Sequence, residues 1–178
     1  MPNLGALHRK LTVTVTSPDA QIRATRQNIT DTVIRFRPNA FDTYRTADLE
    51  HQFSVTLNLL WQGWRDGCRQ IITAAGGEPH RDDHQHWDAN RRRYRQAVDA
   101  LEIIGRSPGQ RVRIHAVGMR DFTVRIKPGS LPEFTEATFT TELLGAIQSL
   151  TREHQDASLE LKDQHFSLNL PQRHRQGT

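Results

Sequence analysis

The chain has 178 residues and a mass of 20.4 kDa, with 35% apolar residues, enough for one compact domain or two small ones that lean on each other. Its 24 basic residues against 20 acidic ones give a formal charge of +4 and a sequence pI near 9.8, a balance that admits a polyanionic partner. A single cysteine, Cys68, excludes an intrachain disulfide and a cysteine-based zinc site, and no run approaches the ~20 apolar residues that cross a bilayer.

The first residues, MPNLGALHRKLTV, lack the charged start and apolar stretch of a signal segment, so the expectation is a soluble, cytoplasmic protein. LTVTVTSPDA then alternates from Leu11 to Thr16 as a strand, and Ser17-Pro18-Asp19 turns it. QIRATR (21–26) and DTVIRFRP (31–38) alternate in the same way and are joined by a connector short enough for a hairpin, which makes a three-stranded meander. Period two places Ile34 and Phe36 on one face and Arg35 and Arg37 on the other, and Pro38 ends the ladder. From Thr46 onward, Leu49, Phe53, Leu57, Leu60 and Trp64 recur at helical spacing, and the helix is expected to run to about Ala74, where GGE stops it.

The polar segment GGEPHRDDHQH follows, and WDANRRRYRQAVDALEIIG (87–105) reads as a helix with Trp87, Tyr94, Val98, Leu101 and Ile104 near one side. RVRIHAV (111–117) and DFTVRIKP (121–128) form a second hairpin through VGMRD, and Thr135 opens a helix marked by Phe139, Leu143, Ile147 and Leu150. At the end, ASLELKDQHFSLNL (157–170) alternates through Leu159, Leu161, Phe166, Leu168 and Leu170, which predicts a closing hairpin that supplies an outer strand missing upstream. PQRHRQGT is expected to fray.

A shift of ninety positions lays one half on the other without a gap. It matches Arg23 with Arg113, Asp31 with Asp121, Arg35 with Arg125, Pro38 with Pro128 and Ala47 with Ala137, and pairs Ile34 with Val124, Arg37 with Lys127 and Phe53 with Leu143. The chain therefore reads as two copies of one supersecondary unit, an α+β protein in which each copy is a β-meander or hairpin followed by an amphipathic helix. The expected organisation is a first unit over 1–78, a linker over 79–86, a second unit over 87–172 and a tail over 173–178.

A meander opening VTVTSPDA, a strand ending in a charged residue and proline, a turn and an amphipathic helix together resemble the YbaB/EbfC family of nucleoid-associated proteins, most of all its actinobacterial branch. The resemblance covers residues 11–74 and, as a helix-strand-strand-helix version, 87–153. It implies a small α/β unit that dimerises and binds DNA with little sequence preference, so two fused copies would form a pseudo-dimer within one chain. It also implies a nucleoid location. Some actinobacterial members are associated with type VII secretion loci, which gives the alternative of a protein-interaction module that keeps the scaffold without binding DNA.

The candidate nucleic-acid-binding residues lie on the sheet face opposite the helix: Arg23, Arg35 and Arg37 in the first copy, Arg113, Arg125 and Lys127 in the second. Side by side, the two sheets would merge these six cations into one stripe. RRRYR adds Arg91, Arg92 and Arg95, although consecutive helical residues fan out by roughly 100° and cannot share one surface. His80, His84 and His86, with Asp82, Asp83 and Asp88, have donor types that suit a divalent metal but sit in a linker, and no metal or other cofactor is assigned. No Gly-rich phosphate loop, Gly-x-Ser-x-Gly elbow or His-Glu-x-x-His pair occurs, so the expectation is a non-catalytic protein. Expected partners are double-stranded DNA, a second copy or a protein docking on Trp61 and Trp64, with no membrane and no small-molecule substrate.

Overall fold

The computed structural model describes residues 11–27, 31–76 and 86–166. The fold is α+β, with two three-stranded antiparallel sheets and three helices. Strands β1 (Thr12–Thr16), β2 (Ile22–Gln27) and β3 (Asp31–Phe36) form the first meander, followed by a 3-10 turn at Phe41–Thr43 and helix α1 (Thr46–Ala74). Helix α2 (Ala89–Asp99) leads into β4 (Glu102–Arg106), β5 (Val112–Val117) and β6 (Asp121–Ile126), a second 3-10 turn at Leu131–Glu133 and helix α3 (Glu136–Phe166).

The duplication extends to individual turns. Ser17 N donates to Ile22 O and Ala20 N to Ser17 O; in the second copy Ser107 N donates to Val112 O and Gln110 N to Ser107 O. Each serine hydroxyl also accepts from a backbone amide, Ile22 N at 2.9 Å and Val112 N at 3.0 Å. Ala20 (φ 60°) and Gln110 (φ 53°) take the left-handed conformation at equivalent places, as do Asn39 (φ 65°) and Gly129 (φ 78°) after each strand-ending proline.

Three expectations are corrected. Residues 102–106 do not continue the preceding helix but form β4, so the second unit has its own third strand. Strand β4 buries Ile103 and Gly105 on one face, and a glycine leaves an alternating pattern with nothing apolar to show. Gly105 is required there because a Cβ would collide with the backbone carbonyl of Ala146 and with Leu150, so closely does α3 lie on β4. The closing hairpin is also wrong, since α3 continues to Phe166. Residues 146–166 contain neither Gly nor Pro and about half of them are the good helix formers Ala, Leu, Glu, Gln, Lys and Arg, so helix propensity outweighs a short alternation. Tyr94 of α2 packs edge-on against His165 and Phe166, with ring centroids 6.1 and 5.6 Å away. Trp87, expected on the buried side of that helix, precedes it and is 86% exposed.

One hydrophobic core serves both copies. Phe36, Phe41 and Phe53 of the first meet Phe139 of the second at centroid distances of 6.4, 5.5 and 5.5 Å, and Trp61 lies 4.9 Å from Phe122. Helix α1 packs on its own β1 and β2 and on β6 of the other copy, and there its side chains bind the strand edge. Ile126 N donates to Glu50 Oε1 (2.7 Å), Val124 N to Ser54 Oγ (2.9 Å) and Phe122 N to Asn58 Oδ1 (2.9 Å), while Asn58 Nδ2 donates to Phe122 O (3.2 Å). The spacing explains the fit: four helical residues rise about 6 Å and two strand residues about 6.7 Å, so every fourth helix position meets every second strand amide. The ninety-residue shift places Thr140, Leu144 and Gln148 at the equivalent positions of α3. Among the described residues no such bonds join α3 to β3.

Candidate nucleic-acid interface

The outer face of each sheet follows from register. Arg23 of β2 stands directly opposite Arg35 of β3, and Arg113 of β5 directly opposite Arg125 of β6. All four side chains are exposed, because the alternate positions Ile22, Ala24, Ile34, Val112, Ile114 and Val124 face the core. The register also places Arg106 of β4 next to Arg113, so the second sheet carries a row of three arginines across its three strands. Thr16 holds the corresponding position in the first sheet. Arg37 and Lys127 lie just past the strands and are exposed, each donating its backbone amide back to the segment before β2 or β5, at Gln21 O and Arg111 O.

Arginines directly opposite one another repel, and such pairs normally destabilise a sheet. Only Arg125 of the six predicted cations has an acidic partner among the described residues: Glu50 Oε2 lies 3.1 Å from its guanidinium. Glu50 is anchored by Ile126 N, so this carboxylate belongs to the seam between the halves as well. The face is not wholly basic. Asp31, Glu102 and Asp121 share it at the other end, with Glu102 3.4 Å from His115. The two sheets share no strand pairing, so the predicted cations stand as two rows and not as one continuous ladder.

The RRRYR run is used locally. Arg92 donates to the carbonyls of His86 and Trp87, Arg95 lies 3.5 Å from Asp99, and Arg91 Nη1 is 3.3 Å from His86 Nε2. Arg91 and Arg92 thus tie α2 to the segment before it, Arg95 pairs within the helix, and the three do not form an open basic surface. His80, His84, Asp82 and Asp83 lie outside the described residues, and Asp88 serves as the N-cap of α2, accepting from Asn90 N at 2.8 Å. Among the described residues no group of three His, Cys, Asp or Glu could hold a metal.

The sequence reading missed Arg106 and Arg26. Arg106 was legible, since Ser17-Pro18 and Ser107-Pro108 fall in step under the same shift and carry Thr16 onto Arg106. Arg26 continues the inward series Ile22, Ala24 and is 4% exposed, its guanidinium 4.4 Å from the Trp61 ring and 5.0 Å from that of Trp64. Burial lowers its pKa, with the neighbouring Cys68 thiol opposing, and burial likewise raises the pKa of Cys68 against the pull of Arg26. This cluster occupies the tryptophans expected to offer a docking surface: Trp61 is buried and Trp64 half-buried.

The concavity beside the first turn, lined by Asp19, Gln21, Asn39, Tyr44, Asp48 and Gln52, is internally satisfied. Asp19 accepts from Ser17, Tyr44 and the Gln21 amide; partial burial pushes its pKa up, but these bonds outweigh that and hold it below the ordinary value. Asp48 pairs with Arg45 at 2.8 Å. No helix among the described residues is long and apolar enough to cross a membrane. Compared with family models, curated proteins and solved structures, the chain finds no match.

Proposed function

We propose that the chain is a non-catalytic protein that binds double-stranded DNA through its phosphates with little sequence preference, acting at the nucleoid in the manner of the YbaB/EbfC family it resembles. The observation that carries this reading is the pair of like-charged contacts, Arg23 opposite Arg35 and Arg113 opposite Arg125, kept at the same place in both sheets. Repulsion between such neighbours is relieved by an anion that bridges them, and the guanidinium fork suits a phosphate. Arginines held to phosphates fix position on the duplex and carry no sequence information, so bases are not read. In this reading the two copies correspond to the two subunits of a family dimer.

The test is a gel shift with two unrelated duplexes at two salt concentrations, using the wild type and a variant with Arg23→Glu, Arg35→Glu, Arg113→Glu and Arg125→Glu. The expected wild-type result is equal affinity for both duplexes and a log–log salt slope that falls by about 0.9 per phosphate contacted. The variant should lose affinity at least about tenfold, the loss expected when several phosphate contacts go together. An unchanged shift in a folded variant rejects the interface.

A further inference from the structure

Arg125 is already engaged, and the group that engages it is not free to leave. Glu50 Oε2 lies 3.1 Å from the Arg125 guanidinium while Glu50 Oε1 accepts the Ile126 amide at 2.7 Å, and the Glu50 side chain is 14% exposed against 69% for Arg125. A phosphate that drew Arg125 away would leave a mostly buried carboxylate with one backbone donor, an unfavourable exchange. The like-charge contact between Arg113 and Arg125 is therefore partly relieved from within the chain.

On the other side of Arg113, directly opposite it, stands Arg106 of β4. Ser107 N donates to Val112 O, so by alternation Arg106 and Arg113 form the non-hydrogen-bonded kind of cross-strand pair, whose Cα atoms approach to about 4.5 Å. The bond from Arg37 N to Gln21 O makes Arg23 and Arg35 the wider kind, at about 5.5 Å. Arg106 and Arg113 are both exposed, and neither has an acidic partner among the described residues. Glu102, on the same face of β4, lies against His115 instead, at 3.4 Å. The repulsion between Arg106 and Arg113 is thus closer than that between Arg23 and Arg35, and no carboxylate relieves it. In the first sheet Thr16 holds the place of Arg106 and forms no such pair with Arg23.

We infer that the phosphate contact of the second copy is made by Arg106 and Arg113, displaced by one strand from the Arg23–Arg35 contact of the first, and that Glu50 is the positioning residue that withdraws Arg125. This rests on the phosphate-binding reading above. The test follows binding of a random duplex across several salt concentrations. Arg106→Gln should flatten the log–log slope by about 0.9, the loss of one phosphate contact, as should Arg35→Gln, whereas Arg125→Gln should leave it nearly unchanged. Glu50→Gln keeps an acceptor for the Ile126 amide, removes the charge and should raise affinity up to about fivefold, the strength of an exposed ion pair. Arg106→Thr gives the second copy the residue of the first, and adding Glu50→Gln to it should restore the lost slope by releasing Arg125. A folding defect cannot produce that gain. A wild type that fails to shift the duplex at low salt rejects the phosphate reading and this assignment with it. A wild type that binds, with Arg125→Gln flattening the slope as much as Arg106→Gln does, or with Arg106→Thr not rescued by Glu50→Gln, rejects this assignment alone.

Discussion

At the scale of single residues, position in the alternation decides whether a charge is displayed or enclosed. Arg23 and Arg26 are three apart on one strand, so one is exposed and the other lies against two indole rings. The alternation of β2 was legible from sequence, and so was the outward placement of Arg23. The inward placement of Arg26 follows from the same period but runs against the expectation that arginine stays in water, and only the neighbouring tryptophans of α1 explain it. His154 of α3 is a half-buried group: desolvation lowers its pKa from the ordinary 6.5, and Ser158 lies 3.3 Å from its Nε2. A histidine held below its unfolded value leaves stability intact above pH 6.5 and erodes it as pH falls through the folded value, because the unfolded chain takes the proton first. Thermal melts between pH 7 and 5 should show a declining melting temperature, and His154→Gln should flatten that decline.

At the scale of elements, the two copies reach the same packing by different means. In the first, Gly63 and Gly67 of α1 let Val13 and Leu11 approach; in the second, the small residue is on the strand, at Gly105 under Ala146 and Leu150. That exchange is why β4 was hidden in the sequence while α1 was plain: Leu49, Phe53, Leu57 and Leu60 announce a helix, whereas a glycine in a buried strand announces nothing. The end of α3 was misread for a related reason, since Leu159 and Leu161 satisfy a strand period as readily as a helix when only a few residues are considered. Replacing Gly105 with alanine forces backbone apart and should cost about 1–3 kcal/mol or more, measured as a shift in the urea midpoint.

At the scale of the whole molecule, the halves are joined by Glu50, Ser54 and Asn58 gripping β6 and by a shared aromatic core. Nothing in the sequence marked these three polar residues, which look like the solvated side of an amphipathic helix until the strand beside them is known. Asn58→Ala would leave both backbone groups of Phe122 without their partners and should destabilise the protein by about 1–3 kcal/mol, with one cooperative transition retained in urea denaturation. Gripping the edge has an electrostatic side effect, because the carboxylate that holds Ile126 also sits against Arg125 and subtracts a charge from the second outer face. Arg106, where the first copy has Thr16, supplies another. With the acids at the far ends included, the second face sets Arg106, Arg113 and Arg125 against Glu50, Glu102 and Asp121, while the first sets Arg23 and Arg35 against Asp31 alone. The grip that joins the halves therefore leaves their two outer faces electrostatically unequal.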